Sequence, residues 1–367
     1  MQQRNQIGLA VALSHPVQYY SPVFKEMAQM FRLKVFYTGP VGGFAYDKGF
    51  RQKVKWDIPL LEGYEYEFVN TYKLLKKIKE FNPDQLLIYG WAHYSHLKLM
   101  IYFKGKLIIN FRGDSTLLSN PGKTKRILKK MLLTWIYKHI DRAFYVGTQN
   151  KYYFTEYGVN EAQLIFAPHS IDNIRFSNIK ESKPIRLNLA ISETSILILY
   201  AGKFDQNKNP ELLLQAFIEL NLTDTHLLFA GSGILENKLK AKIKSYKNVH
   251  FLPFQNQMAM PALYQACDLF CLPTKNDSWG LSINEAMAAG KAILSSDKAG
   301  AAIDLIRKEN GQMFISEDLD DLKYKLRELA TSRSQLQAKG KYSANFIKEW
   351  SIEIQVKNIT TCLYSNH

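Results

Sequence analysis

The chain of 367 residues is long enough for two domains of average size, each with its own apolar core. With 46% hydrophobic and 22% charged residues, its composition excludes an intrinsically disordered protein. The net charge of +15 is uneven: residues 1–180 hold 26 Lys and Arg against 13 Asp and Glu, a charge of +13, which leaves +2 for the rest. We expect the basic first half to contact anionic lipid headgroups rather than nucleic acid, because no nucleic-acid-binding motif is present.

The cysteine content and the lengths of the apolar runs indicate the cellular compartment of the protein. Cys267, Cys271 and Cys362 are odd in number and lack zinc-ligand spacing, as is typical of a protein in a reducing cytosol. The apolar run 7–13 is shorter than the core of a usual signal peptide, and the apolar region 86–111 is interrupted by Gly, His and Lys residues. We therefore expect a cytoplasmic protein that does not span a bilayer and that can associate peripherally with the inner face of the membrane.

The first half alternates short apolar runs with helix-length segments. After an opening strand and a loop, the spacing predicts a helix over 21–30. The predicted strands cover 7–13, 33–37, 85–89, 106–111, 142–146 and 163–167. This alternation is typical of a parallel sheet with crossover helices, and so of one doubly wound domain.

Residues 123–139 have the pattern of a basic amphipathic helix. Its cations are Lys123, Lys125, Arg126, Lys129, Lys130 and Lys138, and its apolar residues are Leu128, Met131, Leu132, Trp135 and Ile136. Such a helix can lie on anionic lipid. The alternative is a helix whose apolar side packs on the core while its basic side is solvated.

After a polar stretch over 173–195, the alternation starts again. The predicted strands cover 196–201, 226–230, 249–252, 269–272 and 292–295. Loops rich in Gly, Pro, Asn and Asp follow them, and in doubly wound sheets ligands bind outside the carboxyl ends of the strands. We predict a second doubly wound domain whose loops converge on one crevice, and a final helix over 344–365.

Two carboxylates eight residues apart, Asp277 and Glu285, follow the strand over 269–272. A helix that began near Ser278 would direct its free N–H groups and its dipole at the crevice, which suits a diphosphate. Glu285, about two turns into that helix, could then accept from ribose hydroxyls and Asp277 from sugar hydroxyls. The alternative is a capping Asp followed by an exposed helical Glu.

The loop after the strand over 196–201 carries two lysines five residues apart, Lys203 and Lys208. Cations facing the crevice can stabilise the negative charge that develops on a departing diphosphate. The alternative is a pair of solvated loop lysines.

Five segments carry a family resemblance: AGKFDQNKNPELLLQAF, FAGSG, PALYQACDLFCLPT, NDSWGLSINEAMAAGKAIL and NGQMF. In this order they resemble the C-terminal domain of family 4 retaining glycosyltransferases of the GT-B fold, roughly over 196–316. The resemblance implies an α/β chain of two doubly wound Rossmann-like domains facing a central cleft. The expected domains are an N-terminal, acceptor-side domain over 1–175, a C-terminal nucleotide-sugar-binding domain over 176–343, and a helix over 344–367 that packs back on the first domain.

The resemblance also assigns roles to residues. Lys203 and Lys208 would contact the donor phosphates, while Asp277 and Glu285 would bind the donor sugar and the ribose. Lys203 replaces the family's usual Arg and Asp277 its usual Glu, so the charges are kept although the bidentate geometry of an arginine is lost. The expected donor-binding residues are Gly202, Lys203, Lys208, Asp277, Ser278, Trp279, Gly280, Leu281 and Glu285.

The N-terminal half resembles the family less closely. PHSID at 168–172 is similar to the family's hinge, with His169 in place of Asn. Arg112 aligns where the family often has a His near the reaction centre; an arginine stays protonated and cannot act as a base, but it can hold a phosphate, with Asp114 as a partner. A structural ion pair is the alternative. The candidate catalytic residues are Arg112, Asp114, Lys203, Lys208 and Asp277, and the acceptor-side candidates are His15, Gln18 and His93.

The resemblance implies a retaining, metal-independent hexosyl- or glycosyltransferase in the synthesis of cell-surface polysaccharide or glycolipid. A UDP-sugar is the expected donor and a glycan or lipid-linked molecule the acceptor, with no further cofactor. No metal ligand is assigned, because Asp318 and Asp320 have the pattern of an acidic helix start. The alternatives are a catalytically silent nucleotide-sugar-binding subunit and a nucleotide-sugar epimerase of the same fold.

Overall fold

The computed structural model describes residues 6–39, 45–47, 49–119, 122–178, 183–243 and 245–365. The strands are β1 Gly8–Leu13, β2 Arg32–Tyr37, β3 Ala45–Asp47, β4 Gln52–Val54, β5 Glu65–Phe68, β6 Gln85–Tyr89, β7 Ile108–Arg112, β8 Arg142–Tyr145, β9 Leu164–Phe166, β10 Ile196–Ala201, β11 Thr225–Ala230, β12 Val249–Leu252, β13 Leu269–Leu272, β14 Ala292–Ser296 and β15 Gly311–Phe314.

The helices are α1 Ser21–Met27, α2 Leu74–Phe81, α3 Tyr94–Phe103, α4 Lys123–Tyr137, α5 Thr148–Glu156, α6 Asn173–Ser177, α7 Lys183–Asn188, α8 Pro210–Leu220, α9 Glu236–Lys242, α10 Met260–Ala266, α11 Leu281–Ala288, α12 Ala302–Leu305, α13 Leu319–Leu329, α14 Arg333–Phe346 and α15 Ile352–Tyr364. Among the described residues, no helix combines the length and the apolar character needed to cross a bilayer.

The contacts within the chain define two compact units. The first unit comprises Met1–Phe44, Ile58–His169 and Ile352–His367, and the second unit comprises Ala45–Asp57 and Ser170–Ser351. The second unit therefore includes a short segment that lies within the predicted N-terminal domain. The remaining part of the second unit starts at Ser170, whereas the predicted N-terminal domain extends to residue 175.

The first unit is a parallel sheet in the order β5-β2-β1-β6-β7-β8-β9, with helices on its faces. All residues of the inner strand β1 are buried, because both faces of a parallel sheet are covered by crossover helices. Leu9 of β1 is in register with Leu33 on one side and Gln85 on the other.

The helix α15 completes the core of the first unit. Its residues Ile352, Val356, Ile359 and Leu363 pack in one cluster with β1 and α1. The amide nitrogen of Gln85, which is buried, donates to the carbonyl of Leu363 over 2.9 Å. This helix is thus held by both apolar contacts and buried polar contacts.

The predicted single helix over 344–365 is interrupted. α14 ends at Phe346, a 3₁₀ turn covers Ile347–Trp350, and Ser351 is extended before α15 begins. Ser351 forms a parallel bridge with Ile171, which requires extended backbone at that residue. A tertiary contact therefore overrides the local helical pattern.

The second unit is a parallel sheet in the order β12-β11-β10-β13-β14-β15. Its central strand β10 is fully buried and is in register with β11 from Ile196 opposite Thr225. The antiparallel hairpin of β3 and β4 belongs to this unit, with Asp47 opposite Gln52. The predicted fold class, α/β with two doubly wound sheets, is confirmed in each unit.

Candidate functional site

The loops after β10 and β13 bring together two residues predicted from separate motifs. The ammonium of Lys208 forms an ion pair with the carboxylate of Asp277, and both side chains are partly exposed. The backbone N–H of Lys208 is fixed by Asp205, whose Oδ1 accepts it over 2.8 Å. Gly202, partly exposed, follows β10 directly and extends the ladder through its N–H to the carbonyl of Ala230.

The segment before α11 is not helical, which corrects the predicted start of this helix. Asp277 forms a parallel bridge with Ala299, and Ser278 and Trp279 lie in a bend rather than in a helix. Gly300 lies so close that a Cβ there would be 2.0 Å from the carbonyl oxygen of Ser278. The helix therefore begins at Leu281, after Gly280, whose φ of 91° favours glycine.

Because α11 starts later, Glu285 lies about one turn, not two, from the helix start. Its side chain is only 3% exposed, so the exposed-Glu alternative is wrong. The hydroxyl of Tyr264 donates to Glu285 Oε2 over 2.8 Å, which fixes the carboxylate. Sequence reasoning missed Tyr264, since a tyrosine at a helical position is most often a core residue.

Three of the predicted donor residues, Ser278, Trp279 and Leu281, have contrasting environments. Trp279 is buried; its indole N–H donates to Asn284 over 2.9 Å and its ring lies 5.3 Å from that of Trp350. Leu281 and Ser278 are partly exposed. The contacts of Trp279 with Asn284 and Trp350 thus explain why a tryptophan is present at this position.

Lys203 contacts a residue that sequence reasoning did not single out. Its ammonium lies 3.0 Å from Asp47 Oδ1 and 5.1 Å from the centre of the Phe50 ring. Burial alone would raise the pKa of Asp47, but the N–H of Phe50 and the ammonium of Lys203 lower it below its usual value. No sequence motif could have revealed this contact, because Asp47 lies far from Lys203 along the chain.

Arg112 in the first unit is buried, at 1% exposure. Its two terminal nitrogens donate to the backbone carbonyls of Ala167 and Pro168, over 2.8 and 3.1 Å. The predicted structural alternative is therefore favoured, although carbonyl groups replace the carboxylate of an ion pair. His169 follows this segment and stacks on Tyr20; burial and the charge of Arg112 lower the pKa of His169 to about 3.

The strand ends of the first unit line a cavity of about 320 Å³. Ser14, Trp91, His93 and Asp114 are among its lining residues. His15 is exposed at the rim of the β1 end and its Nδ1 is 2.8 Å from the hydroxyl of Ser14, while Gln18 is partly exposed. The structure therefore groups His93 with Asp114, and the lining does not include His15, Gln18 or Arg112.

The acidic start of α13 is also as the sequence predicts. Asp318 is the N-cap residue of this helix, and its carboxylate accepts from the N–H groups of Asp320 and Asp321. The Asp-x-Asp pattern is thus explained by helix capping.

The family described as "Glycosyl transferases group 1" matches residues 181–346, which lie within the second unit. Over these residues the chain is similar to group 1 glycosyltransferases. The predicted resemblance to this family is confirmed, while assignment to family 4 stays a prediction. The paired Lys208 and Asp277 and the buried Glu285 all lie within the residues that match this family.

Among curated relatives, an α-1,4-N-acetyl-D-galactosaminyltransferase of Campylobacter jejuni is 25% identical over 68% of this chain and 66% of that protein. Its name describes an undecaprenyl-diphosphate-linked GalNAc acceptor. A D-inositol 3-phosphate glycosyltransferase of Salinispora arenicola is 30% identical over 31% of this chain and 29% of that protein. The chain thus spans less than two thirds of the length of either relative.

The fold is shared with solved glycosyltransferase structures. HepE of Anabaena, solved in complex with UDP, has a TM-score of 0.77 at 15% identity, covering 98% of this chain and 100% of that one. The sucrose-phosphate synthase of Thermosynechococcus elongatus has a TM-score of 0.74 at 14% identity, with 98% of each chain covered. The predicted GT-B fold class is confirmed by these similarities.

Proposed function

We propose that this chain is a retaining glycosyltransferase that moves a sugar from a nucleotide-sugar donor to a glycan or lipid-linked acceptor. The observation that carries the proposal is the convergence of Lys208 and Asp277 at adjacent strand ends, within the residues that match group 1 glycosyltransferases. Glu285 lies on the helix that follows the same loop. These residues come from separate motifs, and solvated loop residues would not need to converge in this way.

In the proposed mechanism the protein positions the donor and stabilises charge. Lys203 and Lys208 neutralise the diphosphate, whose negative charge increases as the glycosidic bond breaks. Asp277 orients Lys208 and accepts from a sugar hydroxyl, while Glu285, fixed by Tyr264, accepts from the ribose. Retention is proposed from the family resemblance, in which the departing phosphate helps to remove the acceptor proton on the same face of the sugar.

We propose a UDP-sugar as the donor and a lipid-linked glycan as the acceptor. HepE, which shares the fold, was solved with UDP. The Campylobacter relative is named for a polyprenyl-diphosphate-linked acceptor. On the first unit, the cavity lined by Trp91, His93 and Asp114 offers an aromatic ring and polar groups for sugar hydroxyls.

The test is a panel of UDP-, GDP- and ADP-sugars, read by thermal shift and nucleotide release with the wild type and with Glu285→Gln. We expect one nucleotide class to stabilise the wild type and Glu285→Gln to remove that stabilisation. Glu328→Gln is the matched control, because Glu328 also accepts from a tyrosine hydroxyl, that of Tyr324, but on the protein surface. Absence of stabilisation by every nucleotide would contradict the proposal, and binding without transfer to any acceptor would indicate a silent subunit.

We also propose that α4 contacts the membrane peripherally. Only a narrow stripe of this helix, Leu133, Ile136 and Tyr137, is buried. Its other apolar side chains are exposed, by 46% to 69%: Ile127, Leu128, Met131, Leu132 and Trp135. Arg126, Lys129 and Lys130 line a cavity of about 450 Å³ beside them. Exposed apolar residues bordered by cations favour an anionic lipid surface, at about 1 kcal/mol per well-placed cation.

Co-sedimentation with vesicles tests this contact. We expect binding to vesicles that contain phosphatidylglycerol and not to pure phosphatidylcholine, and a loss of binding in Leu128→Asp/Met131→Asp. Ile234→Asp is the control, because Ile234 is as exposed as Met131 but lies in the second unit. Equal binding of the double variant and the wild type would exclude α4 as the contact.

A further inference from the structure

The hairpin segment 45–57 lies on the loops that follow β10, β11 and β12 of the second unit. The hydroxyl of Ser232 donates to the carbonyl of Phe50 over 2.9 Å, and the Phe50 ring packs edge-on against Phe254 at 4.7 Å. Asn256 donates to the carbonyl of Lys55 over 2.6 Å. The segment is thus anchored at several points along the carboxyl edge of the sheet, where Lys203 also lies.

Asp47 lies at the end of β3 and its Oδ1 atom accepts from three donors. They are the N–H of Gly49 at 2.8 Å, the N–H of Phe50 at 3.1 Å and the ammonium of Lys203 at 3.0 Å. The two N–H contacts fix the turn of the hairpin. The third contact neutralises Lys203, which in the proposed mechanism contacts the anionic diphosphate of the donor.

We propose that the carboxylate of Asp47 pairs with the ammonium of Lys203 in the unliganded protein. The donor diphosphate then displaces this carboxylate from Lys203. This inference rests on the proposed function, because it takes Lys203 as a phosphate ligand. A carboxylate oxygen and a phosphate oxygen present the same acceptor to an ammonium, so the two compete for one cation. The carboxylate of Asp47 on the hairpin is therefore an internal competitor of the substrate. When the donor binds, Lys203 exchanges its contact with Asp47 for a contact with the diphosphate.

The expected effect is modest, because both side chains are about one-third exposed, at 34% for Lys203 and 30% for Asp47. Water screens such a pair, so its loss changes an equilibrium by up to roughly fivefold. Replacing the carboxylate with an amide should tighten nucleotide binding by about three- to fivefold. Asn can still accept the two N–H groups through its carbonyl oxygen, so Asp47→Asn preserves the turn.

Isothermal titration of the full chain with UDP, GDP and ADP tests the inference. Asp47→Asn should bind the preferred nucleotide more tightly than the wild type, and the gain should vanish when Lys203→Met is also present. Asp57→Asn is the matched control: Asp57 lies on the same segment and accepts from the N–H of Met258 over 3.1 Å. We expect Asp57→Asn to leave the nucleotide affinity unchanged.

The outcomes separate this inference from the proposed function. If the wild type binds a nucleotide and Asp47→Asn binds it equally or more weakly, competition by Asp47 is overturned while the transferase proposal stands. The same holds if the gain persists in the Lys203→Met background. If no variant binds any of the three nucleotides, both the proposed function and this inference are overturned.

Discussion

Charged residues at the strand ends of the two sheets have different partners. In the second unit, side chains from separate loops contact one another, as Lys208 does with Asp277, and stay partly exposed. In the first unit, Arg112 is buried and its terminal nitrogens donate to backbone carbonyls. The carboxyl end of a parallel strand is thus a favourable place for a ligand site, but a charge there is available to a ligand only when the backbone has not already engaged it.

The strongest test of this contrast is Lys208→Ala. We expect the turnover rate to fall by about 10²–10³, the usual loss when a group that stabilises transition-state charge is removed. The free energy of unfolding should change by less than about 1 kcal/mol, because the ion pair is partly exposed. Lys275→Ala is the control, since Lys275 pairs with Glu317 in a neighbouring loop. An unchanged rate would exclude Lys208 from the site.

Arg112→Met should show the opposite behaviour. The carbonyls of Ala167 and Pro168 would lose their donors inside the protein, which costs about 3 kcal/mol of unfolding free energy. Urea denaturation measures this loss, with the surface variant Arg327→Met as the control. If Arg112→Met were as stable as the wild type but inactive, the catalytic role predicted from the sequence would be restored.

The buried His169 predicts a pH dependence of stability in the first unit. Its pKa falls from 6.5 to about 3 on folding, so below pH 6.5 the unfolded chain binds a proton that the folded chain does not. Its contribution is therefore complete above pH 6.5 and is lost as the pH falls toward 3, by about 1.4 kcal/mol per pH unit. In His169→Asn, the free energy of unfolding, measured by urea denaturation between pH 7 and pH 4.5, should depend less steeply on pH than in the wild type. The difference in slope should correspond to one proton. Parallel curves for the two proteins would refute this.

Among these four variants, the smallest expected effect is that of Tyr264→Phe. Loss of one buried hydrogen bond to Glu285 should weaken nucleotide binding by about tenfold without changing the base that is preferred. Titration calorimetry measures the affinity, and Tyr324→Phe removes the equivalent surface contact with Glu328 as a control. If the affinity is kept, Glu285 does not need this partner for its position.

Much of the second unit follows from its sequence. The bounds of β10, β12 and β13 are as predicted, because buried parallel strands are continuous apolar runs between Gly- and Pro-containing loops. The proximity of the loops carrying Lys208 and Asp277 follows from the same topology, since both loops leave one edge of the sheet.

The errors have tertiary causes. Ser278 has the local features of a helix start, but the bridge between Asp277 and Ala299 determines where α11 begins. The carbonyl partners of Arg112 lie far from it along the chain, so the sequence does not indicate them, and its catalytic role stays a prediction. Asp47 lies in a hairpin of two three-residue strands, too short for a periodic pattern to be recognised.

The position of α15 has a consequence for how the protein folds as it is synthesised. The first unit needs Leu363 to satisfy Gln85, and the carbonyl of Cys362 to accept from Arg142. The ribosome makes these residues only after the whole of the second unit. The first unit therefore cannot complete its core during its own translation. The second unit is synthesised while the first unit still exposes the apolar surface that α15 will cover.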